Sequence, residues 1–523
     1  MNKDRLIKHC DELFRKKQGV NSLWQAIADN FYPERADFTE INNVGREFGD
    51  HLVDSFPVRA RRDLANLAGS MLRSENWFEL VAEAELDHAG KSYLEWLTKR
   101  QASLMKFQGT GFMRAAKEAD HDFFTFGQAV MSAEYSMKYD SLLYRTWHLR
   151  DCAWSEDERG QVCTVVRKWK PTIRQLADTF GRDALHARMV ELLDKDPEQE
   201  VPCQHIVMPV GHFDSDDQNP YISTFIDTAN NHILEQKGIT NKFYIVPRFA
   251  TLAGSQYAYS PATMASLPDA RTLQAMAHTL IEAGELFVRP PLLATQNALR
   301  SDVNVYAGGV TWVDEKYDER LGEVLRPLGL DRGGLPLGFQ MHQDLQTSIA
   351  EGFYLNKLTL PNTAGMTAYE VSERMAEFQR QALPLFSPME EEYNGQLCEI
   401  TFDLLTVNNK FGSAYDVPDS LKGIDLDFKF SSPISEASEK IKGQLFVQAV
   451  EFTTMAGQVD PQAIGNFNAD IGLRDAIIGS GGNASWLRTE EDVMVARQQQ
   501  AMQQQAQQMA EMAAAGGDIE TAA

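Results

Sequence analysis

The sequence predicts an α+β protein of several modules, arranged as separate domains or as one elongated subunit. Three observations predict it. Apolar residues recur at helical spacing through the first 72 residues. Runs rich in β-branched and aromatic residues take over between about residues 143 and 246. Two more helical stretches then flank an insert rich in Gly and Pro. At 523 residues the chain is too long for one small core, and length alone suggests two to four domains.

The N-terminal helices come first. Leu6, Ile7, Cys10, Leu13 and Phe14 follow helical spacing, and Gly19 reads as a stop. A second helix is predicted from Asn21 and Ser22, where Ser22 and Gln25 have capping-box spacing. Leu23, Trp24, Ile27 and Phe31 form its apolar stripe, and Pro33 ends it. A third follows Pro57, with Leu64, Leu67, Ala68, Met71 and Leu72 facing inward and Arg59, Arg61, Arg62 and Arg73 on the remaining surface. Strands are expected at 143–149 and 162–169, joined by the polar hairpin loop SEDERG. A short helix over 172–180 ends at Gly181, and further strands are expected at 205–210, 221–226 and 242–246.

Residues 269–287 read as one helix with the stripe Leu273, Met276, Ala277, Leu280 and Ile281, broken by Arg289, Pro290 and Pro291. The insert, 289–340, holds strand-like pieces at 303–306 and 310–313. The helical period returns from Met341 through Leu345, Ile349 and Phe353. Residues 360–366, LPNTAGM, read as a loop, and Thr367 with Glu370 caps a helix that Pro384 interrupts. Met389, Tyr393, Leu397, Ile400 and Leu404 continue at helical spacing, and 435–457 look helical. The Gln/Ala-rich run after Trp486 consists of good helix formers, which either join a multi-chain bundle or fray.

Composition narrows the function. Hydrophobic residues make up 43% and charged residues 24%, ordinary for a globular chain. The net charge of −24 argues against a protein that grips DNA phosphates, because such binding replaces counterions with Lys and Arg. It is compatible with a protein past which DNA must slide, since an acidic wall repels phosphate and does not hold it. Cys10, Cys152, Cys163, Cys203 and Cys398 are scattered without a CxxC, which reads as reduced thiols of an intracellular protein. The N-terminus lacks an apolar signal core and no run of about 18 apolar residues occurs, so no membrane partner is expected.

Catalytic signatures are missing. There is no GxxxxGK[ST] loop, GxSxG or HExxH. The stretch 479–484 fits GxGxxA but follows no clear strand, so it reads as a turn. Asp214, Asp216 and Asp217 could hold Mg²⁺ in a nuclease-like site, or form a solvated connector between strands. His342 and Asp344, two apart on a helix, point to different faces and make no metal pair. Glu390, Glu391 and Glu392 suit the first turn of a helix after Pro388. Trp24, Trp77, Trp154 and Trp169 read as core anchors, and the arginines near residue 60 as a solvated face or a contact to DNA or a partner subunit. No catalytic residue, metal or cofactor is expected.

Several stretches together resemble one family, the portal (head-to-tail connector) proteins of short-tailed, podovirus-type phages. They are residues 23–38 (LWQAIADNFYPERADF), 61–80 (RRDLANLAGSMLRSENWFEL), 122–127 (DFFTFG), 246–276 (VPRFATLAGSQYAYSPATMASLPDARTLQAM), 307–312 (AGGVTW) and 366–375 (MTAYEVSERM). The likeness runs from about residue 5 to 410, and 246–276 is its most specific part.

The resemblance implies a portal-protein fold and a ring, usually of twelve subunits, at one capsid vertex. It implies a wing over 1–268, a first stem helix over 269–288, a clip over 289–340 and a second stem helix over 341–359. A tunnel loop over 360–366, wing helices over 367–434 and a crown-like C-terminal region over 435–523 complete the division. The implied partners are further copies of the chain, double-stranded DNA in the channel, the packaging terminase, tail adaptors, and capsid and scaffolding proteins, within the virion. Lys357, Asn362 and Thr363, at or beside the tunnel loop, are the candidates for touching DNA, or else ordinary helix-end and turn residues. Rival expectations are a coat or tail-tube subunit, and a metal-dependent nuclease using the three aspartates.

Overall fold

The computed structural model describes residues 3–40, 45, 47–73, 76–82, 86–213, 218–294, 299, 303, 312–313, 325–327, 334–356, 389–412, 417–430, 446–456, 458, 467–479, 493–495, 497–499 and 502–503. In chain order the elements are α1 (Lys3–Phe31), α2 (Phe56–Leu72), β1 (Phe78–Ala82), α3 (His88–Met105), α4 (Phe112–Phe126), β2 (Val130–Ser136), β3 (Ser141–Trp147), β4 (Cys152–Glu156), β5 (Val162–Trp169), α5 (Ile173–Phe180) and α6 (Ala187–Lys195). Next come β6 (Cys203–Pro209), α7 (Val210–Phe213), β7 (Tyr221–Asp227), β8 (His232–Ile239), β9 (Tyr244–Ile245), α8 (Pro261–Val288), β10 (Leu292–Ala294), β11 (Leu325–Pro327), α9 (Gly334–Gly352), α10 (Gln396–Val407), β12 (Leu426–Phe430) and α11 (Ala469–Gly479). The mixture is α+β, as the sequence predicts.

Two compact units divide the chain. The first holds residues 1–68, 114–132 and 145–359. Its five-stranded sheet has the order β4-β5-β6-β7-β8, antiparallel throughout. Period-two alternation sends Val166, Ile206, Met208, Ile222 and Ile226 to one face, where Leu6, Cys10 and Leu13 of α1 cover them. Cys203 and Leu234 pack instead with Ile173, Leu176, Leu185 and Met189 of the α5–α6 segment. Thr172 and Gln175 cap α5 reciprocally, and Gly181, at φ 87°, ends it.

Three expectations for this unit are corrected. Gly19 does not stop the first helix. α1 runs unbroken from Lys3 to Phe31, and Ser22 and Gln25 lie inside it. Buried residues at 6, 10, 13, 17, 24, 27, 28 and 31 make one continuous stripe, and burying it outweighs the cost of about 1 kcal/mol for a mid-helix glycine. The hairpin loop at 155–160 joins β5 to β4, not to 143–149, because Cys152–Glu156 takes the register opposite Val162–Arg167. Arg61 is no surface residue. It is 3% exposed, donates from Nε to Phe31 O at 3.1 Å, lies 2.7 Å from His121 Nδ1 and stacks on Tyr32.

The second unit holds residues 69–113, 133–144 and 360–523. β1 pairs antiparallel with β12, Phe78 opposite Phe430. Trp77 stacks on Phe430 and is buried, as are Leu94 and Leu97 of α3. Gln101 Nε2 donates to Cys398 O at 3.0 Å, and Tyr144 Oη bonds Thr401 Oγ1 at 2.8 Å, which ties α10 in. Residues 390–395, expected as an acidic first turn, form a π-helical turn running into α10. Gly395 permits it, since a Cβ there would come within 3.1 Å of Glu390 O.

Trp24, Trp77 and Trp154 are the buried anchors expected, with Trp169 half-buried beside Phe225. All five cysteines are free and buried. Among the described residues no helix is long and apolar enough to cross a membrane.

Candidate DNA-channel segment

The two helices that the resemblance assigns to the stem correspond to α8 and α9, both within the first unit. α8 starts where Ser260 precedes Pro261, whose fixed φ and missing N–H suit a first helical position. It begins eight residues before the expected 269, because Ala262, Thr263, Ser266 and Leu267 are buried and extend the stripe upstream. Pro268 lies inside it, solvent-exposed, and Thr272 Oγ1 donates to the Pro268 carbonyl at 2.9 Å.

The start of α8 is anchored through short polar contacts. Ser260 Oγ donates to Phe124 O at 2.5 Å, and Thr263 Oγ1 to Thr125 O at 2.8 Å. Gly127 takes φ 78°, and a Cβ there would lie 2.1 Å from the Tyr259 carbonyl carbon. Only glycine lets these two backbones meet.

α9 packs antiparallel against α8, and glycines set the closeness. Gly338 faces Leu280, and Gly352 faces Ser266. Ser348 Oγ donates to Asp269 Oδ2 at 2.9 Å. Ile349 and Phe353 are fully buried, the latter against Phe31. The helix spans Gly334–Gly352, not 341–359: it starts seven residues earlier, and Tyr354, at φ 56°, has left the helical region.

One residue, Asp54, joins both helices to the chain before α2, α9 through its carboxylate and α8 through its backbone. Asp54 Oδ2 lies 3.0 Å from His342 Nε2 and accepts from Gln346 Nε2 at 2.9 Å, while Oδ1 accepts from Phe56 N. Gln274 of α8 completes the node. Its Oε1 accepts from Val53 N and Asp54 N, and its Nε2 donates to Asp54 O at 2.6 Å. Sequence reasoning missed Asp54 and Gln274, since a partner 220 residues away leaves no local signal. His342 turns inward to this node while Asp344 is exposed, the divergence that their spacing predicts.

The helix pair carries five carboxylates (Asp269, Glu282, Glu285, Asp344, Glu351) and one arginine, Arg271. No Lys or Arg occurs in α9. Five carboxylates against one arginine make a surface that repels phosphate more than it holds it.

Lys357, Asn362 and Thr363 lie outside the described residues, as do the loop 360–366, the Thr367–Glu370 cap, and Asp214, Asp216 and Asp217. Of the insert, β10 and β11 pair antiparallel, and Leu299 bridges Val313; the expected strand at 303–306 falls, apart from Val303, outside the described residues. Among the described residues no group of three or more His, Cys, Asp or Glu is placed to hold a metal ion.

Residues 3–487 match the family described as bacteriophage head to tail connecting protein. The chain is 26% identical to the "Probable portal protein" of Bordetella phage BPP-1, over 99% of this chain and 95% of that one. It is 22% identical to the "Portal protein" of Salmonella phage epsilon15, over 95% of this chain and 91% of that one. Among solved structures it is similar to a chain from the virion of a native gene transfer agent particle, with TM-score 0.35 and 11% identity, covering 76% of this chain and 85% of that one. A match running nearly end to end makes this chain a member of the bacteriophage head-to-tail connecting protein family.

Proposed function

We infer that the chain is the portal subunit of a tailed phage, located in the virion at one capsid vertex, where DNA passes in packaging and ejection. The carrying observation is the family match over residues 3–487, supported by two phage portal proteins aligned over nearly their full lengths. In this reading the protein is structural and performs no catalysis. The copies close into a ring, twelve being the expected number. α8 and α9 form the stem that lines the channel, the residues between them form the clip, and the clip docks the packaging terminase and later the tail adaptors. Residues 360–366 form the tunnel loop, with Lys357, Asn362 and Thr363 nearest the DNA. The acidic helix pair supports a conduit in which phosphates slide without sticking.

Native mass measurement with single-particle imaging tests the reading. Twelve copies of a 58.8 kDa chain give a ring on the order of 700 kDa with a central hole. A stable monomer or dimer under all conditions overturns it.

A further inference from the structure

We propose that His205 is an acid-sensitive catch between two sheets: a second proton on its ring parts β9 from the five-stranded sheet and loosens the strand that precedes α8. His205 sits mid-strand on β6 and is 1% exposed. Its Nδ1 lies 2.6 Å from Tyr244 Oη and its Nε2 2.8 Å from Ser223 Oγ. Tyr244 belongs to β9, the two-residue edge strand of the separate sheet β3-β2-β9. Lys242 and Arg248, on either side of β9, reach only the β4–β5 hairpin, at Val162 O and at Glu156 with Gly160 O. Among the described residues, Tyr244 makes the hydrogen bond from β9 to β6.

The proton count decides what this arrangement tolerates. Arg167 Nε donates to Tyr244 Oη at 2.9 Å, so the phenol already accepts one bond and has its own proton to place. Neutral His205 accepts that proton's bond at Nδ1 and donates from Nε2 to Ser223. A ring protonated on both nitrogens has no lone pair left. Tyr244 Oη then faces two donors, and its own proton has lost its acceptor in a buried place.

Charge acts in the same direction. The charged group facing the ring is Arg167, opposite it on β5 and 7% exposed. Its guanidinium stacks on Trp147 and Trp169, and among the described residues no carboxylate pairs with it. Phe225 of β7 covers the imidazole at 3.9 Å, and Phe243 lies at 6.0 Å. Asp227, further along β7, spends its carboxylate on Ala229 N, Asn230 N and Asn230 Nδ2. From β8, Glu235 and Lys237 stand opposite Phe225 and Ser223, both exposed and of opposite sign. An imidazolium here meets a guanidinium and aromatic faces, with no anion to offset it. Burial and Arg167 together hold the ring's pKa well below 6.5. Just below 6.5 the opened form therefore binds the proton and the closed form does not, so opening becomes easier as pH falls.

Hydrogen exchange of the full-length chain, read by mass spectrometry and corrected for intrinsic rates, tests the catch between about pH 7.5 and pH 5, with α3 of the other unit as reference. Protection of residues 242–249 should fall by up to about tenfold per pH unit below about 6.5, and by more than that of α3. His205→Gln, which cannot gain the proton, should keep that protection nearly level. Arg167→Met, which removes the repelling cation, should shrink the fall, and it provides the comparison if His205→Gln does not fold. A parent chain whose residues 242–249 stay protected down to pH 5 overturns the catch. An equal fall in the parent and in the folded variants also overturns it, because the acid sensitivity then belongs to other groups.

Discussion

Lys17 is fully buried, and its ammonium donates to three backbone carbonyls, of Leu149, Arg150 (2.9 Å) and Cys152 (2.7 Å), beside the Trp24 ring. Three donors meet three acceptors, which is why a cation is tolerated there. Lys17→Met removes the donors and leaves the carbonyls unpaired, and urea melts should show a loss of about 2–4 kcal/mol. Burial pushes the Lys17 pKa down to about 7. The unfolded chain, with lysine near about 10.4, then binds more protons than the folded one between those values. Stability from this group therefore rises as pH climbs from about 7 towards 10, and Lys17→Met should flatten that rise. His205 belongs to another buried network. Its ring lies between Tyr244 Oη (2.6 Å) and Ser223 Oγ (2.8 Å) and stacks on Phe225, and burial holds its pKa well below 6.5. Neither residue was recognisable in the sequence, because their partners are backbone carbonyls or side chains on other strands.

At the scale of elements, periodicity was the surer guide, while punctuation held at Pro33, Gly181 and Pro290 and failed at Gly19. The stripes of α1 and α8 were legible, yet Gly19 and Pro268 broke neither helix, since packing along the stripe outweighed local propensity. The turn after α4 shows the reverse case, a glycine whose conformation the neighbouring chain demands. Gly127→Ala places a methyl group against the Tyr259–Ser260 backbone, at a φ that alanine resists. Thermal unfolding should show a loss of about 3 kcal/mol or more, with α8 losing its anchor at Ser260 and Thr263. Nothing in the run DFFTFG marks its glycine as the point of closest approach.

For the whole molecule, acidity is the property that the proposed function draws on. In that reading a chain of net charge −24 keeps DNA mobile, so grip has to come from few residues at one level. Lys357, Asn362 and Thr363 are the proposed ones. Deleting residues 361–365 should leave rings intact while DNA packaging or retention falls, scored by the DNA content of assembled heads. Normal filling removes these residues from the proposal.

The sequence by itself determined the α+β class, the two-helix motif around a turn-rich insert, the core tryptophans and, through motifs spread over most of the chain, the family. These follow from periodicity, composition and order, which are written locally. The tertiary structure decided that α1 is one helix, that Arg61 and Lys17 are buried, that β5 pairs with β4, and that Asp54 ties α8 to α9. Each of these depends on a partner distant in the chain or on burying a continuous stripe, and neither is written in a residue's immediate neighbours.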